Sequence, residues 1–381
     1  MRARDLGIPF DGQCGPWNAI TDVPGVEVGF CTVIRGESTE DTTKDSDFAR
    51  TGVTCIHPRG KRRSSVFAGR AVLNGNGEMT GTHWIDDSGF LHGPVMITNT
   101  NSVGIVRDTT AKWMVDHDFF PPAYKEGKEV PGLGFFYPVV GETFDGALNN
   151  INGFKVTPEH VLTALDTAAS GPVQEGNVGG GTGMRCHGFK GGTGTSSRVV
   201  RTDMGETYTL GVLVQANHGM REELNIRGIP FGREIVGYEQ DIRKMSPKEG
   251  DGSIIVVIAT DAPFLPWQLS KISCRAALGI GRLGGGYQTG SGDLFLAFST
   301  ANEQAFSYTK SEVTLLSDEN IDPFFKAAAE AVEEAIVNAL VAAEDMYGRN
   351  RNFVPALPLD QVRQILEKYR GYLTMAYGQG S

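Results

Sequence analysis

A serine at the boundary between a polar linker and an apolar run has the residue types and spacing best suited to covalent chemistry. The linker is RKMSPKEGDG, residues 243–252, and the apolar run begins at Ser253. A strand would hold Ser253 on one side, while Gly252 on the other tolerates strained backbone conformations. Attack of the Ser253 hydroxyl on the Gly252 carbonyl, followed by hydrolysis, would free the α-amine of Ser253. That amine, with a pKa of about 7.7 to 8.0, could serve as the base for its own hydroxyl. Gly-Ser before a strand is also common in ordinary linkers, so the junction alone leaves both interpretations open.

A hydroxyl and a carboxylate two residues apart form a second candidate group. They belong to the run Gly290-Ser291-Gly292-Asp293. In an extended segment, side chains at this spacing project to the same side. Ser291 and Asp293 could therefore orient a nucleophile and its amine, and the competing interpretation is a polar turn before the next strand.

Short apolar runs and patterned segments predict the elements that must position these groups. Strands are expected at residues 211–215, 254–259 and 294–298, which are rich in β-branched or aromatic residues and lack polar alternation. Helices are expected from Pro158 to about Ala169, from Asp322 to Met346, and over residues 359–369. Continuous apolar strands imply sheets covered on both faces. The pattern therefore predicts a layered α/β sandwich with helices as outer layers.

The composition excludes several classes of function. The chain has 381 residues, 40% of them hydrophobic, which is enough to bury a large core. A net charge of -10 and a pI near 5.3 argue against nucleic acid or an anionic membrane as partner. The N-terminus lacks the apolar segment of a secretory signal, and no stretch reaches the roughly 20 apolar residues of a membrane span. We therefore expect a cytoplasmic protein, or a periplasmic one if a signal has been removed.

Metal, disulfide and nucleotide sites are not predicted by spacing. The five cysteines show no CxxC pair, and the seven histidines show no HExxH or paired ligand spacing, so we expect neither a zinc site nor a disulfide framework. His218, beside Asn217, is the histidine nearest to a candidate site residue. The run Gly176–Gly183, GNVGGGTG, resembles a dinucleotide or phosphate loop. However, a helix end precedes it and no strongly helical segment follows, so a nucleotide site is disfavoured. Tight turns lining a substrate cleft are the favoured use, with purely structural glycines as the competing interpretation.

Seven ordered motifs together resemble one known family over nearly the whole chain. They are DVPGVEVG (22–29), NGNGEMTG (74–81), ITNTNSVG (97–104), PVVGETFDG (138–146), GNVGGGTG (176–183), QANHG (215–219) and DGSIIVVIATDAP (251–263). The resemblance is to the self-cleaving L-aminopeptidase/D-esterase-amidases and β-peptidyl aminopeptidases, with nylon-oligomer hydrolases more distant. It implies one four-layer αββα domain, residues 1–381, that cuts itself into an α fragment, 1–252, and a β fragment, 253–381.

The same resemblance assigns roles to individual residues. Ser253 corresponds to the nucleophile, and Asn217 to the side-chain donor to the oxyanion, typically worth about 3 to 4 kcal/mol of barrier. Ser291 and Asp293 correspond to the pair that orients Ser253, although some relatives carry glutamate at the second position. Glu142 corresponds to the carboxylate that binds the free ammonium group of the substrate.

One position departs from the family pattern. Close relatives have tyrosine where this chain has Phe144, so the ring is kept and a phenolic hydroxyl is lost. The resemblance implies hydrolysis of small peptides, amides or esters, including D- or β-amino acid substrates, through an acyl-Ser253 intermediate. It further implies no cofactor and a homotetramer of cleaved protomers. The related ornithine acetyltransferases, which use threonine as nucleophile, keep an acyltransferase open as a competing function.

Overall fold

The structure, a computed structural model, describes residues 1–242 and 252–378. Residues 243–251 of the predicted linker lie outside the described residues, as do the last three residues of the chain. None of the helices in the described part combines the length and the apolar composition needed to cross a bilayer.

The described residues form two main sheets, three two-stranded ribbons and nine α-helices. The strands are β1 Glu27–Arg35, β2 Ala49–Lys61, β3 Val66–Gly75, β4 Phe90–Leu91, β5 Val95–Asn99, β6 Ala123–Lys125, β7 Lys128–Val130, β8 Val139–Thr143, β9 Arg185–Cys186, β10 Phe189–Lys190, β11 Gly192–Arg201, β12 Thr207–Asn217, β13 Ser253–Thr260, β14 Gly292–Ser299, β15 Met346–Tyr347 and β16 Phe353–Val354. The helices are α1 Thr82–Ser88, α2 Val103–Asp116, α3 Pro158–Asp166, α4 Phe231–Glu234, α5 Pro266–Ser273, α6 Ala276–Arg282, α7 Asp322–Ala342, α8 Leu359–Lys368 and α9 Arg370–Tyr377.

Strand order shows how the two sheets are built. The four-stranded sheet has the order β1-β2-β5-β8, and the six-stranded sheet has the order β11-β12-β13-β14-β3-β4. In the second sheet β13 pairs antiparallel with β12 and parallel with β14. The strand that begins at Ser253 is therefore central and bonded on both sides, which explains why its sequence lacks polar alternation.

Three apolar layers hold the sheets and helices together. Alternate residues of β13, Ile255 and Val257, face the other sheet and pack with its residues such as Ile97. The intervening residues of β13 pack against α5, α6 and α7. On the far side, the four-stranded sheet packs against α2 and α3. The order of layers is helix, sheet, sheet, helix, so the predicted αββα sandwich is confirmed.

The predicted strands and helices are present, but two of the helices end earlier than predicted. All three predicted strands fall inside β12, β13 and β14. The helix that starts at Pro158 ends at Asp166, before Ala169, because Ala169 instead exchanges backbone hydrogen bonds with Val28 of β1. The long helix α7 ends four residues before the predicted Met346, which lies in the ribbon β15–β16.

Candidate active site

Ser253 is the first residue of the central strand β13 and is buried. It lies opposite Asn217 at the end of β12 and opposite Gly292 at the start of β14. Ser253 has the same parity along the strand as Ile255, which faces the other sheet. The serine side chain is thereby directed to the space between the two sheets, at the end where the apolar packing stops.

Gly252 is held tightly against its neighbours. Its carbonyl oxygen accepts a hydrogen bond of 3.1 Å from the backbone N–H of Gly292. A Cβ atom added at position 252 would lie 2.2 Å from the carbonyl oxygen of Asn217, closer than real contacts allow. The junction between the linker and the strand therefore has room for glycine and for no larger residue in this arrangement.

Two hydrogen bonds fix the amide of Asn217. Its Oδ1 accepts from the backbone N–H of Arg185 at 2.8 Å, and its Nδ2 donates to the carbonyl oxygen of Phe144 at 3.1 Å. Because an amide nitrogen carries two hydrogens, one N–H of Asn217 remains for a further acceptor at the cavity. The arrangement suits an oxyanion donor that is oriented before the substrate binds.

Ser291 and Asp293 contact each other directly. The hydroxyl of Ser291 donates to Asp293 Oδ1 at 2.6 Å, and Asn74 Nδ2 donates to Asp293 Oδ2 at 2.7 Å. The backbone N–H of Ile254 also bonds to this carboxylate. Burial raises the pKa of Asp293 above its usual value, while these donors hold it down. Ser291 closes a turn by donating its backbone N–H to the Gln288 carbonyl oxygen at 3.0 Å, and Asp293 lies in β14, so a turn does precede this strand. The buried pair also adjoins the first residues of β13, and its orienting role stays a prediction.

Glu142 is a buried carboxylate in the other sheet, near the end of β8. Its Oε1 accepts the backbone N–H of Glu78 at 2.9 Å, and its Oε2 accepts the hydroxyl of Thr100. Burial raises the pKa of Glu142, and the two hydrogen bonds oppose that shift. A cationic group entering the cavity would favour the charged carboxylate and gain a charge-assisted hydrogen bond.

A cavity of about 440 Å³ joins these groups from both sheets. It is lined by Asn76, Gly77, Glu78, Thr100, Glu142, Phe144, Arg185, Asn217, Gly252, Ser253 and Gly290. Five residues predicted from sequence thus share one cavity: Glu142, Phe144, Asn217, Gly252 and Ser253. Ser291 and Asp293 are buried and are not among the lining residues. The ring of Phe144 packs over Gly146, where an added Cβ would lie 2.4 Å from the ring.

Three further residues of the site carried no predicted role. Asn74 bonds to Asp293, and Thr100 bonds to Glu142. Arg185 lines the cavity, donates its backbone N–H to Asn217 and donates Nη1 to Gln240 Oε1 at 3.1 Å. Asn74 and Thr100 lie within motifs that the sequence analysis had singled out as whole segments. For Arg185 there was no signal, since only the pairing of distant segments brings it to Asn217.

The glycine-rich run at residues 176–183 does not form an open phosphate loop. Gly179–Gly183 is a buried 3-10 helix packed against the four-stranded sheet. A Cβ at Gly52 of that sheet would lie 2.3 Å from the carbonyl oxygen of Gly179. The glycines therefore serve close backbone packing. None of them is among the residues that line the cavity, so the structural interpretation describes them better than the favoured one of turns lining a cleft.

Comparisons with known proteins show which proteins the chain is similar to. The model of peptidase family S58 matches residues 18–354. A β-peptidyl aminopeptidase, BapA, from Sphingosinicella microcystinivorans is 51% identical over 97% of this chain and 92% of its own length. The L-aminopeptidase D-Ala-esterase/amidase of Ochrobactrum anthropi has a TM-score of 0.85 at 48% identity, covering 97% of this chain and 99% of its own. A β-aminopeptidase from a Burkholderia species has a TM-score of 0.83 at 44% identity, with the same coverage. The acyltransferase and nucleotide-binding alternatives find no support in these similarities.

Proposed function

Since the chain belongs to peptidase family S58 and is an aminopeptidase/amidase of the N-terminal-nucleophile hydrolase class, we propose that Ser253 is its nucleophile. The observation that carries this proposal is the position of Ser253. It opens the central strand, lines the cavity between the sheets, and follows a carbonyl that is already hydrogen-bonded by Gly292.

Self-cleavage would release that nucleophile. The Oγ of Ser253 attacks the carbonyl carbon of Gly252, the C–N bond between the two residues breaks, and the nitrogen takes a proton to become a free α-amine. Water then hydrolyses the Gly252 ester, which restores the hydroxyl. The products are an α fragment, residues 1–252, and a β fragment, residues 253–381, that remain together in one αββα domain because β13 is bonded to strands on both sides.

Catalysis would then use the same serine on a substrate carbonyl. The freed α-amine of Ser253 takes the hydroxyl proton, and the serine oxygen forms an ester with the acyl group of the substrate. Asn217 donates its remaining N–H to the oxyanion. The hydrogen-bonded pair Ser291–Asp293, braced by Asn74, orients the serine and its amine. Water releases the acyl group.

Glu142 supports a preference for substrates with a free amino terminus. It is a buried carboxylate at the cavity with one backbone and one hydroxyl donor, and it can pair with an ammonium group. We propose small peptides, amino acid amides and esters as substrates. The printed names of the relatives, β-peptidyl aminopeptidase and L-aminopeptidase D-Ala-esterase/amidase, extend this set to β- and D-amino acids.

Two residues tune this specificity in our proposal. Arg185 lines the same cavity as Glu142, and its guanidinium, which donates to Gln240 Oε1 at 3.1 Å, is a group that binds carboxylates. A short peptide has an ammonium at one end and a carboxylate at the other, so Arg185 favours dipeptides over longer or amidated substrates. Phe144 presents no hydroxyl to the cavity, and we expect slower turnover or altered selectivity than in a relative with tyrosine there.

A homotetramer of cleaved protomers and a cytoplasmic location complete the proposal. Both follow from the family resemblance and from the composition of the chain. Size-exclusion chromatography with light scattering measures the first, and fractionation of cells that express the chain measures the second.

Intact-mass spectrometry of the purified protein beside Ser253→Ala tests the central proposal. We expect two fragments that meet between Gly252 and Ser253 in the wild type, one uncut chain in the variant, and amidase activity in the wild type only. Ser291→Ala is the companion variant, because it keeps the nucleophile and removes its neighbour; it should cleave slowly rather than not at all. An uncut but active wild-type chain would contradict the proposed mechanism.

A further inference from the structure

Three buried side chains with metal-binding atoms lie together, next in sequence to residues that line the active-site cavity. They are Cys186, His187 and His218, and one ligand atom of each lies within 4.8 Å of the other two. Cys186 Sγ is 3.9 Å from His218 Nδ1, and the two imidazole rings are 5.3 Å apart. Sequence spacing predicted no metal here because residues 186 and 187 are far from residue 218 along the chain; the fold brings them together.

Each of the two imidazoles has a ring nitrogen that no described group satisfies. His187 Nδ1 lies 3.0 Å from the carbonyl oxygen of Met220, which only accepts, so this nitrogen carries the proton and His187 Nε2 is left as a bare acceptor. Within residues 1–242 and 252–378, His187 Nε2 and His218 Nε2 are buried with no hydrogen-bond partner. A carbonyl that fixes the tautomer of one histidine nitrogen while the other faces a metal is a common second-layer arrangement around metal sites.

A thiol binds a metal ion as its thiolate, so an ion at this site would displace the proton of Cys186. Metal binding should therefore release one proton.

We propose that Cys186, His187 and His218 form a binding site for a d10 metal ion that accepts thiolate and imidazole ligands, Zn²⁺ or Cu⁺. Thiolate and imidazole together select these ions over Mg²⁺, Ca²⁺ or Mn²⁺. One thiolate leaves Cu⁺ neutral and Zn²⁺ with a net charge of one. Zn²⁺ in proteins is almost always four-coordinate, so it would need one further ligand besides the three side chains.

The position of the site links it to the catalytic residues. Cys186 directly follows Arg185, whose N–H holds the amide of Asn217, and His218 directly follows Asn217. An ion bound to both segments would join the two backbones next to that hydrogen bond, where the His187 N–H already donates to the His218 carbonyl oxygen at 2.7 Å. We expect metal loading to raise the thermal unfolding temperature of the protein.

Metal analysis of the purified full-length protein tests the site. The protein is stripped with a chelator, loaded with Zn²⁺ in one arm and with Cu⁺ under anaerobic reducing conditions in the other, and desalted. We expect one ion per chain in one arm, with a higher unfolding temperature, and both effects lost in Cys186→Ala and His187→Gln. Cys55→Ala, at a buried cysteine in another layer, and Cys274→Ala, at an exposed cysteine, are matched controls that should still bind the ion.

Two results would overturn the proposal. One is no stoichiometric ion in either arm, and the other is an ion that Cys274→Ala removes and Cys186→Ala does not. Should the Cys186 or His187 variant fail to fold, X-ray absorption at the metal edge of the loaded wild-type protein decides. One sulfur and two imidazole nitrogens support the site, and a shell of only oxygen and nitrogen contradicts it.

Discussion

The carbonyl oxygen of Gly252 accepts a hydrogen bond of 3.1 Å from the backbone N–H of Gly292. This bond polarises the carbonyl that Ser253 would attack and gives a donor to the charge that develops on its oxygen. It depends on the parallel pairing of β13 with β14, which sets Ser253 opposite Gly292. The same central strand thus presents the nucleophile and activates the bond to be cut.

Replacing Gly252 with alanine should slow self-cleavage strongly. The added methyl group would meet the carbonyl oxygen of Asn217 at 2.2 Å, so the backbone must shift and the bond to Gly292 must weaken. A time course of fragment formation on denaturing gels, from a freshly purified sample, measures the rate. Gly104→Ala is the matched control, because nothing lies within 4 Å of a Cβ there. Cleavage of Gly252→Ala at the wild-type rate would contradict the tight fit at the junction.

Asn217→Ala should lower kcat of the cleaved enzyme by about 10²- to 10³-fold, the usual effect of losing one oxyanion donor. KM should change much less, because the donor acts mainly on the transition state. Steady-state kinetics with a chromogenic amino acid amide gives both values. Because the amide of Asn217 also bonds to the Arg185 N–H and the Phe144 carbonyl oxygen, the fragments must first be shown to form and to remain associated. An unchanged kcat would remove Asn217 from the catalytic group.

Glu142→Gln should reduce kcat/KM for substrates with a free amino terminus by roughly 10- to 100-fold, the value of a charge-assisted hydrogen bond. Self-cleavage involves no substrate ammonium, so the variant should still form both fragments at close to the wild-type rate. This makes fragment formation an internal test of folding. Equal loss of cleavage and of hydrolysis would indicate that Glu142 serves structure and not substrate binding.

Arg185→Ala should change the preference between dipeptides and dipeptide amides. The side chain would no longer pair with a terminal carboxylate, while the backbone N–H that holds Asn217 is unaffected. We expect kcat/KM for a free dipeptide to fall about tenfold and that for its amide to stay nearly constant. A parallel loss for both substrates would show that Arg185 does not recognise the carboxylate.

Much of the fold could be predicted because its strongest local signals agree with the tertiary structure. Apolar runs without alternation marked β12, β13 and β14, and the proline at position 158 marked the start of α3. The helix ends were wrong where a tertiary pairing takes over, as when Ala169 bonds to Val28. Such pairings join residues far apart along the chain, and no local propensity encodes them.

The candidate site, like the fold, could be predicted from the sequence only in part. Ser253, Asn217 and Glu142 were found by a junction and by motifs, and the structure brings them to one cavity. Their catalytic roles stay predictions. The contact of Asn74 with Asp293 depends on the pairing of β3 with β14, and the cluster around Cys186 depends on the neighbourhood of β9 and β12. Neither contact could be inferred from spacing, since the partners are separated by long stretches of chain.

Replacing Asn74 with alanine should shift the acid limb of the pH–rate profile. Burial raises the pKa of Asp293, and the amide of Asn74 opposes this by stabilising the charged carboxylate. Asn74→Ala removes that donor, so the pKa of Asp293 should rise further and the acid limb of kcat/KM should move to higher pH. Activity then falls at a pH where the wild type still works. Asn76→Ala is the matched control, because Asn76 bonds to the Gly290 carbonyl and not to the carboxylate; its acid limb should not move. A shift to lower pH in Asn74→Ala, or the same shift in both variants, would show that the ionisation of Asp293 does not govern the profile.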